Sequence, residues 1–275
     1  MDLVILDART ADAYAAGHLP GALHADLETQ LSSARDEGAD PASGGRHPLP
    51  PLSRWLEQVA EWGITPSTRV VVYDDQRGAN AAARVWWMLR AIGHEKVEVL
   101  DRSADYNADR SAGFQPAGPP ASSRREGETG RLEASGPAAW KAALPSDDWQ
   151  LPTVSMSEVD QLRHDPAWRV LDVRATPRYR GDTEPIDPVA GHIPGAINLP
   201  YTENLDKSPS ELRAMYEQLL DGVPPERLVV HCGSGVTACH TLLALDRAGL
   251  RGASLYVGSW GEWCRNDMPV GKVSE

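Results

Sequence analysis

Short apolar runs rich in β-branched residues alternate along this chain with stretches whose apolar residues recur every three or four positions. The runs at 4–7, 70–73, 97–100, 170–173, 228–231 and 254–257 contain few polar residues, as strands covered on both faces do. The helical periodicity falls at 52–62, 79–91, 157–163, 210–220 and 236–248. Strands alternating with helices predict an α/β fold built on parallel sheets.

One pattern is written twice. Residues 4–7 read VILD, then Ala8 and Arg9, and Gly17-His18-Leu19-Pro20-Gly21-Ala22 follows. The second half repeats the order as Val170-Leu171-Asp172-Val173-Arg174 and Gly191-His192-Ile193-Pro194-Gly195-Ala196. Further on, Val70 to Asp74 parallels Leu228 to Cys232. A spacing of roughly 165–175 residues means duplicated domains, not a solenoid. The expected domains are 1–145 and 153–275, joined through about 145–153. The first begins almost at its Asp-x-Arg strand and is expected to lack an edge strand and helix that the second has. Residues 102–136, rich in Gly, Pro, Ser and charge, have no counterpart in the second half and are expected to form a mobile surface insertion.

Charge narrows the range of functions. With 27 Lys plus Arg against 39 Asp plus Glu, the formal net charge is -12, which disfavours nucleic acid and anionic membrane as partners. No apolar run approaches the ~20 residues that span a bilayer, and no signal-peptide pattern opens the chain. Three cysteines cannot make a disulfide framework, so a reducing cytoplasm is the expected compartment.

The most informative segment is His231-Cys232-Gly233-Ser234-Gly235-Val236-Thr237-Ala238. A cysteine leaves a buried strand, passes a tight glycine-containing loop and enters a helix. That arrangement turns backbone N–H groups inward as an anion-binding nest, which stabilises a thiolate. The bland alternative is an inert buried cysteine. Cysteine phosphatases use a similar loop but place an Arg six residues after the nucleophile; here that residue is Ala238, and no guanidinium is available to clamp a phosphate. Phosphate-ester hydrolysis and arsenate reduction are therefore poorly supported. Backbone donors without that Arg suit a smaller anion, such as a terminal persulfide sulfur.

With these residues in view, the chain resembles the two-domain sulfurtransferases of the rhodanese family. The resemblance is carried by the Cys232 loop, the paired Gly-His-apolar-Pro-Gly-Ala motifs, Arg84-Val85-Trp86-Trp87-Met88-Leu89-Arg90 and Tyr256-Val257-Gly258-Ser259-Trp260. It implies tandem rhodanese-like domains, each a mainly parallel sheet flanked by helices, with only the second catalytic. Asp74 stands where the second half has Cys232 and cannot carry sulfane sulfur. Cys232 would accept sulfur from a donor as a persulfide and pass it to cyanide or a thiol, with no metal or organic cofactor. A protein thiol such as a thioredoxin is a further candidate acceptor.

The neutral loop, with Gly233 and Ser234 where thiosulfate-preferring relatives place cations, is similar to the 3-mercaptopyruvate branch; thiosulfate is the competing donor. Gly233, Gly235, Val236 and Thr237 would line the donor's sulfur, and Arg178 matches the family's substrate-binding Arg. The mercaptopyruvate enzymes commonly carry a second Arg about nine residues later, where this chain reads Glu184-Pro185-Ile186-Asp187. Arg174 or Arg180 would compensate, or serve as structural ion-pair partners. By position, His47, Glu28 and Ser234 correspond to a proton relay; for His47 a plain surface role is an equal alternative. A low-turnover sulfur carrier or binding module is the rival from another class. Cys239 is read mainly as a buried helix residue, Cys264 as passive, His18 and His192 as structural turn residues, and Trp86, Trp87, Trp260 and Trp263 as packing.

Overall fold

The computed structural model describes residues 2–101, 140 and 148–272. The expected insertion at 102–136 and part of the linker lie outside them. In the first half, β1 (Leu3–Asp7), β2 (Leu23–His24), β3 (Arg69–Tyr73) and β4 (Val97–Val99) form a sheet ordered β2-β1-β3-β4. In the second, β5 (Thr153–Val154), β6 (Arg169–Asp172), β7 (Ile197–Asn198), β8 (Leu228–His231) and β9 (Ser254–Tyr256) are ordered β5-β9-β8-β6-β7. Every pairing is parallel. Superimposing the orders matches β2, β1, β3 and β4 to β7, β6, β8 and β9, so among the described residues the first sheet lacks a partner for the edge strand β5.

Helices α1 (Ala11–Ala16), α2 (Leu52–Glu61) and α3 (Ala81–Arg90) cover the first sheet; α4 (Met156–Leu162), α5 (Thr176–Arg180), α6 (Pro209–Leu220), α7 (Thr237–Arg247) and α8 (Ser259–Trp263) belong to the second. The six longer strands and five longer helices predicted from periodicity all form, with ends displaced by a residue or two. The elements not anticipated, β2, β5, β7, α1, α5 and α8, are two to six residues long, too short for any period to register. Ser155 and Ser208 close capping boxes on α4 and α6 with Glu158 and Glu211, which fixes where those helices start.

The two halves share one core. Helices α3 and α7 pack together, and residues 81–89 are all buried. The resulting apolar cluster joins Val4, Leu6, Val70 and Val72 to Leu171, Leu228, Val230 and Leu255. A cleft built at this seam is held by the core itself.

The repeated Asp-x-Arg has the same job in both halves. Arg174 grips Asp172 (Nε–Oδ1 3.0 Å, Nη2–Oδ2 2.6 Å) and donates to the Gly191 carbonyl at 2.7 Å. Arg9 grips Asp7 at the same distances and donates to Gly17 O at 2.6 Å. Each arginine ties the end of its strand to the Gly-His turn. His192 and His18 then stack on Tyr179 and Tyr14, ring centroids 4.0 Å apart in each case.

Burial alone would lift these carboxyls. Against it, Arg9 and Tyr73 hold Asp7 below the ordinary carboxylate range, His231 and Arg174 do so for Asp172, and Arg178 for Glu184. A depressed folded-state value stabilises fully above the unfolded value and loses that contribution as pH falls through the folded one. The urea midpoint should therefore hold down to about pH 5 and drop steeply below about pH 4. A midpoint unchanged between pH 6 and pH 3 would contradict this assignment.

Candidate active site

Strand β8 delivers Cys232, 2% exposed, to a four-residue loop that enters α7. The start of α8 grips this loop. The Cys232 amide donates to Ser259 Oγ at 3.1 Å, and Ser259 Oγ donates onward to Tyr256 O at 2.9 Å. Trp260 N and Gly261 N each donate, at 3.0 Å, to the carbonyls of Cys232 and Gly233. Ser259 itself has φ +55°, a strained value for a side-chain-bearing residue at a functional loop. Gly235 has φ +73°, and a Cβ there would collide with the Val257 carbonyl, so only glycine fits. Within the loop, the Ser234 amide donates to Cys232 Sγ at 3.5 Å.

Basic side chains converge above the loop. Arg178, on α5, pairs with Glu184 through Nε and Nη2, the latter at 2.7 Å, and reaches Asp187 at 3.3 Å. A Cβ built on Gly233 would stand 3.4 Å from Arg178 Nη2, so this predicted substrate residue does lie over the loop. Arg174 is instead buried, with its guanidinium 4.7 Å from the Trp260 ring centroid and Nη1 donating to Glu184 at 3.2 Å. Arg180 pairs with Asp182 at 3.2 Å. Arg46 of the first half, absent from the sequence expectations, is closer to Gly233 than any of these, its Nη2 2.7 Å from the position of a Cβ. The signal for it was indirect: a cation next to His47, and a carboxylate, Asp187, where the resemblance called for an Arg.

His47 and Glu28 do meet, Nε2 to Oε1 at 2.9 Å. Burial, opposed by Glu28, pushes His47 below its ordinary value, so the ring is neutral at neutral pH. With Nε2–H donating to Glu28, Nδ1 carries the lone pair. That atom is buried without a hydrogen-bond partner. Ser234, 8% exposed, makes no hydrogen bond to His47, so the relay is only partly assembled. Val236 is buried and Thr237 partly buried at the loop's far end.

Arg84, the polar residue opening an otherwise apolar face of α3, was quoted in the sequence only as part of a motif. It is fully buried, and its guanidinium spans the two halves, donating to His47 O at 3.0 Å and Gly235 O at 3.3 Å. Cys239 is buried, with its thiol directed at Gly235 O and burial pushing its pKa up to about 12. A thiol so protonated is inert at neutral pH.

The first half repeats the strand-loop-helix arrangement with Asp74 at its centre. Four backbone amides donate to this carboxylate: Gln76 at 2.8 Å and Gly78 at 2.7 Å to Oδ1, Asn80 at 3.0 Å and Ala82 at 3.1 Å to Oδ2. Burial nonetheless lifts the Asp74 carboxyl above its ordinary value. The nest is therefore filled by the protein's own side chain.

The rhodanese-like domain model matches residues 1–105 and 155–266, one match on each half of the chain. The chain belongs to the rhodanese-like family. Human 3-mercaptopyruvate sulfurtransferase is 35% identical over 94% of this chain and 80% of that protein. Thiosulfate sulfurtransferase of Bos taurus is 34% identical over 95% and 82%. Among solved structures, 3-mercaptopyruvate sulfurtransferase from Leishmania major matches with a TM-score of 0.71 at 27% identity, covering 96% of this chain and 70% of that one. This rhodanese-like chain is a sulfurtransferase with two domains of one fold. Among the described residues no group of three or more His, Cys, Asp or Glu is arranged to hold a metal ion. No described helix is long and apolar enough to cross a membrane.

Proposed function

We propose that this sulfurtransferase takes its sulfur from 3-mercaptopyruvate through Cys232 and hands it to cyanide or a thiol. The observation that carries the reading is the position of Cys232: buried between a strand end and a helix start, next to a loop without cations of its own, with Arg178 above. In the first step the Cys232 thiolate attacks the donor sulfur and the carbon–sulfur bond breaks. The bonding pair leaves with carbon as the enolate of pyruvate, and the former thiol proton ends on that carbon. In the second, the acceptor attacks the outer sulfur, the sulfur–sulfur bond breaks, and the thiolate returns. Electrons stay on sulfur and carbon throughout, so the route calls on no redox cofactor.

The first step moves a proton from sulfur to carbon. His47, neutral and with a free Nδ1, together with Ser234 and Glu28, is assigned to that transfer. Arg178 is assigned to the donor carboxylate as a bidentate partner, and Arg174 to holding Glu184. A protein thiol such as a thioredoxin is proposed as an alternative acceptor, and the cytoplasm as the compartment.

Thiosulfate is the second reading, favoured by one observation: a second guanidinium, that of Arg46, stands beside Arg178, which suits a doubly charged donor. Thiocyanate formation from cyanide, with each donor under identical conditions, separates the two. A higher kcat/KM with 3-mercaptopyruvate is expected, by about tenfold or more; a higher value with thiosulfate would overturn the donor assignment.

A further inference from the structure

His231 ends β8 directly before the nucleophile, and its side chain is fully buried. It is paired in register with Asp172 of β6. Nδ1 lies 3.2 Å from the Cys232 carbonyl, while Nε2 is buried without a hydrogen-bond partner, 3.9 Å from Asp172 Oδ2. The groups around the ring are Asp172 and Arg174 at the end of β6, His192 of the Gly-His turn and Tyr256 of β9. Burial outweighs the pull of Asp172 and pushes His231 below its ordinary value, so the ring is neutral at neutral pH and carries one N–H. A carbonyl only accepts, and the gap to Asp172 is too long for a hydrogen bond. The proton therefore belongs on Nδ1, which donates to Cys232 O.

The first half holds the same place differently. Tyr73 ends β3 in register with Asp7, as His231 ends β8 in register with Asp172. Its hydroxyl donates to Asp7 Oδ2 at 2.6 Å, which closes the Asp-x-Arg brace there. In the second half the imidazole stops short of its aspartate and turns a donor to the next residue's carbonyl instead. The difference falls in the half that holds the nucleophile.

That carbonyl sets an amide. Cys232 O also accepts from Trp260 N at 3.0 Å, so both of its lone pairs are taken. Across a trans peptide the C=O and N–H point in opposite directions, and no described peptide is cis. Fixing Cys232 O between α8 and the imidazole turns the Gly233 N–H to the opposite side, where among the described residues it makes no hydrogen bond. A backbone amide oriented in advance, with no partner to give up, is the form that best stabilises an arriving anion.

We infer that His231 is a positioning residue for sulfur transfer: its Nδ1–H holds the carbonyl of the Cys232–Gly233 peptide and so aims the Gly233 amide at the sulfur anion. This rests on the reading of Cys232 as the sulfur-accepting nucleophile. It goes beyond that reading by giving the buried imidazole before it a tautomer and a task.

Two readouts on the full chain test it. Proton–nitrogen correlation spectra of the histidine rings at neutral pH, with the His231 signals assigned by their loss in His231→Asn, should show the Nδ1–H tautomer. The Nε2–H tautomer would overturn the inference whatever the variants do. Steady-state kinetics, with 3-mercaptopyruvate and with thiosulfate as donors and cyanide as acceptor, give the second. His231→Tyr copies the first half, reaching the aspartate but offering Cys232 O no donor. Its kcat should fall by about tenfold, with donor KM within about twofold of wild type and the melting temperature not lowered. His231→Asn carries an amide nitrogen near the place of Nδ1 and should recover kcat to within about threefold of wild type. Wild-type kcat in a folded His231→Tyr would overturn the inference, and so would equal losses in the two variants, since those mark a residue that only fills the core. If His231→Tyr does not fold, the tautomer and the His231→Asn rate decide, and a loss of about tenfold in that variant overturns the inference. If Cys232→Ser still transfers sulfur, the nucleophile reading falls while the tautomer of His231 stands.

Discussion

Cys232→Ser should fold as the wild type does and lose sulfur transfer by at least ~10³-fold. The hydroxyl keeps the size and the loop contacts, because the grip on this residue runs through its amide and carbonyl to Ser259 and Trp260. The stability change is expected to be about 1 kcal/mol. A serine oxygen cannot accept sulfane sulfur as a persulfide, so both donors should fail together. Intact-mass spectrometry after incubation with donor provides the direct reading: a 32 Da gain on the wild type, on the order of one sulfur atom, discharged by cyanide and absent from the variant. Activity above a tenth of wild type would remove Cys232 from the mechanism.

Asp172→Ala should be the most damaging change away from the nucleophile. The Asp172 and Arg174 side chains are 0% and 1% exposed, and deleting the carboxylate takes the bidentate partner from a buried guanidinium, leaving it Glu184 and the Gly191 carbonyl. The expected cost is about 3–5 kcal/mol, measured as unfolding free energy in urea. Asp7→Ala, the same change in the first half, should cost about 1–2 kcal/mol less, since Arg9 is 21% exposed and can be hydrated. Tyr73 OH loses its acceptor in that variant but keeps the Leu19 amide as a donor to it. Equal costs would show that burial does not decide the worth of this motif. Donor KM should also rise in Asp172→Ala, because Arg174 holds Glu184 and Glu184 in turn holds Arg178.

The duplicated fold and the strand-loop-helix setting of Cys232 were legible because both are local: segments contiguous in sequence carry them. Arg46, Arg84, Asp187 and Ser259 were not legible as site residues. Each acts across a contact between distant segments, and a lone Arg or Ser in sequence carries no mark of what it will face. Arg178 and Arg174 show the same limit from the other side. They are four residues apart, and Arg174 was read as either a substitute for a missing second substrate Arg or an ion-pair partner; Arg178 approaches Gly233, whereas Arg174 is buried on Asp172 and Glu184. The relay was anticipated in pairs: Glu28 does meet His47, whereas Ser234 turns its amide, not its hydroxyl, to the chemistry by donating to Sγ.

The carboxylate of Asp74 has a bearing on its counterpart. Counting bonds from Cα, an aspartate oxygen stands as far out as the terminal sulfur of a cysteine persulfide would. Four amides already close on those oxygens in the first half, while a single amide touches Sγ in the second. The unspent donors of the Cys232 loop are thus matched to an atom that arrives only with the substrate. The first domain, permanently loaded with its own oxygen, is a resident cast of the second domain's charged state, two residues longer in the loop but filled in the same place.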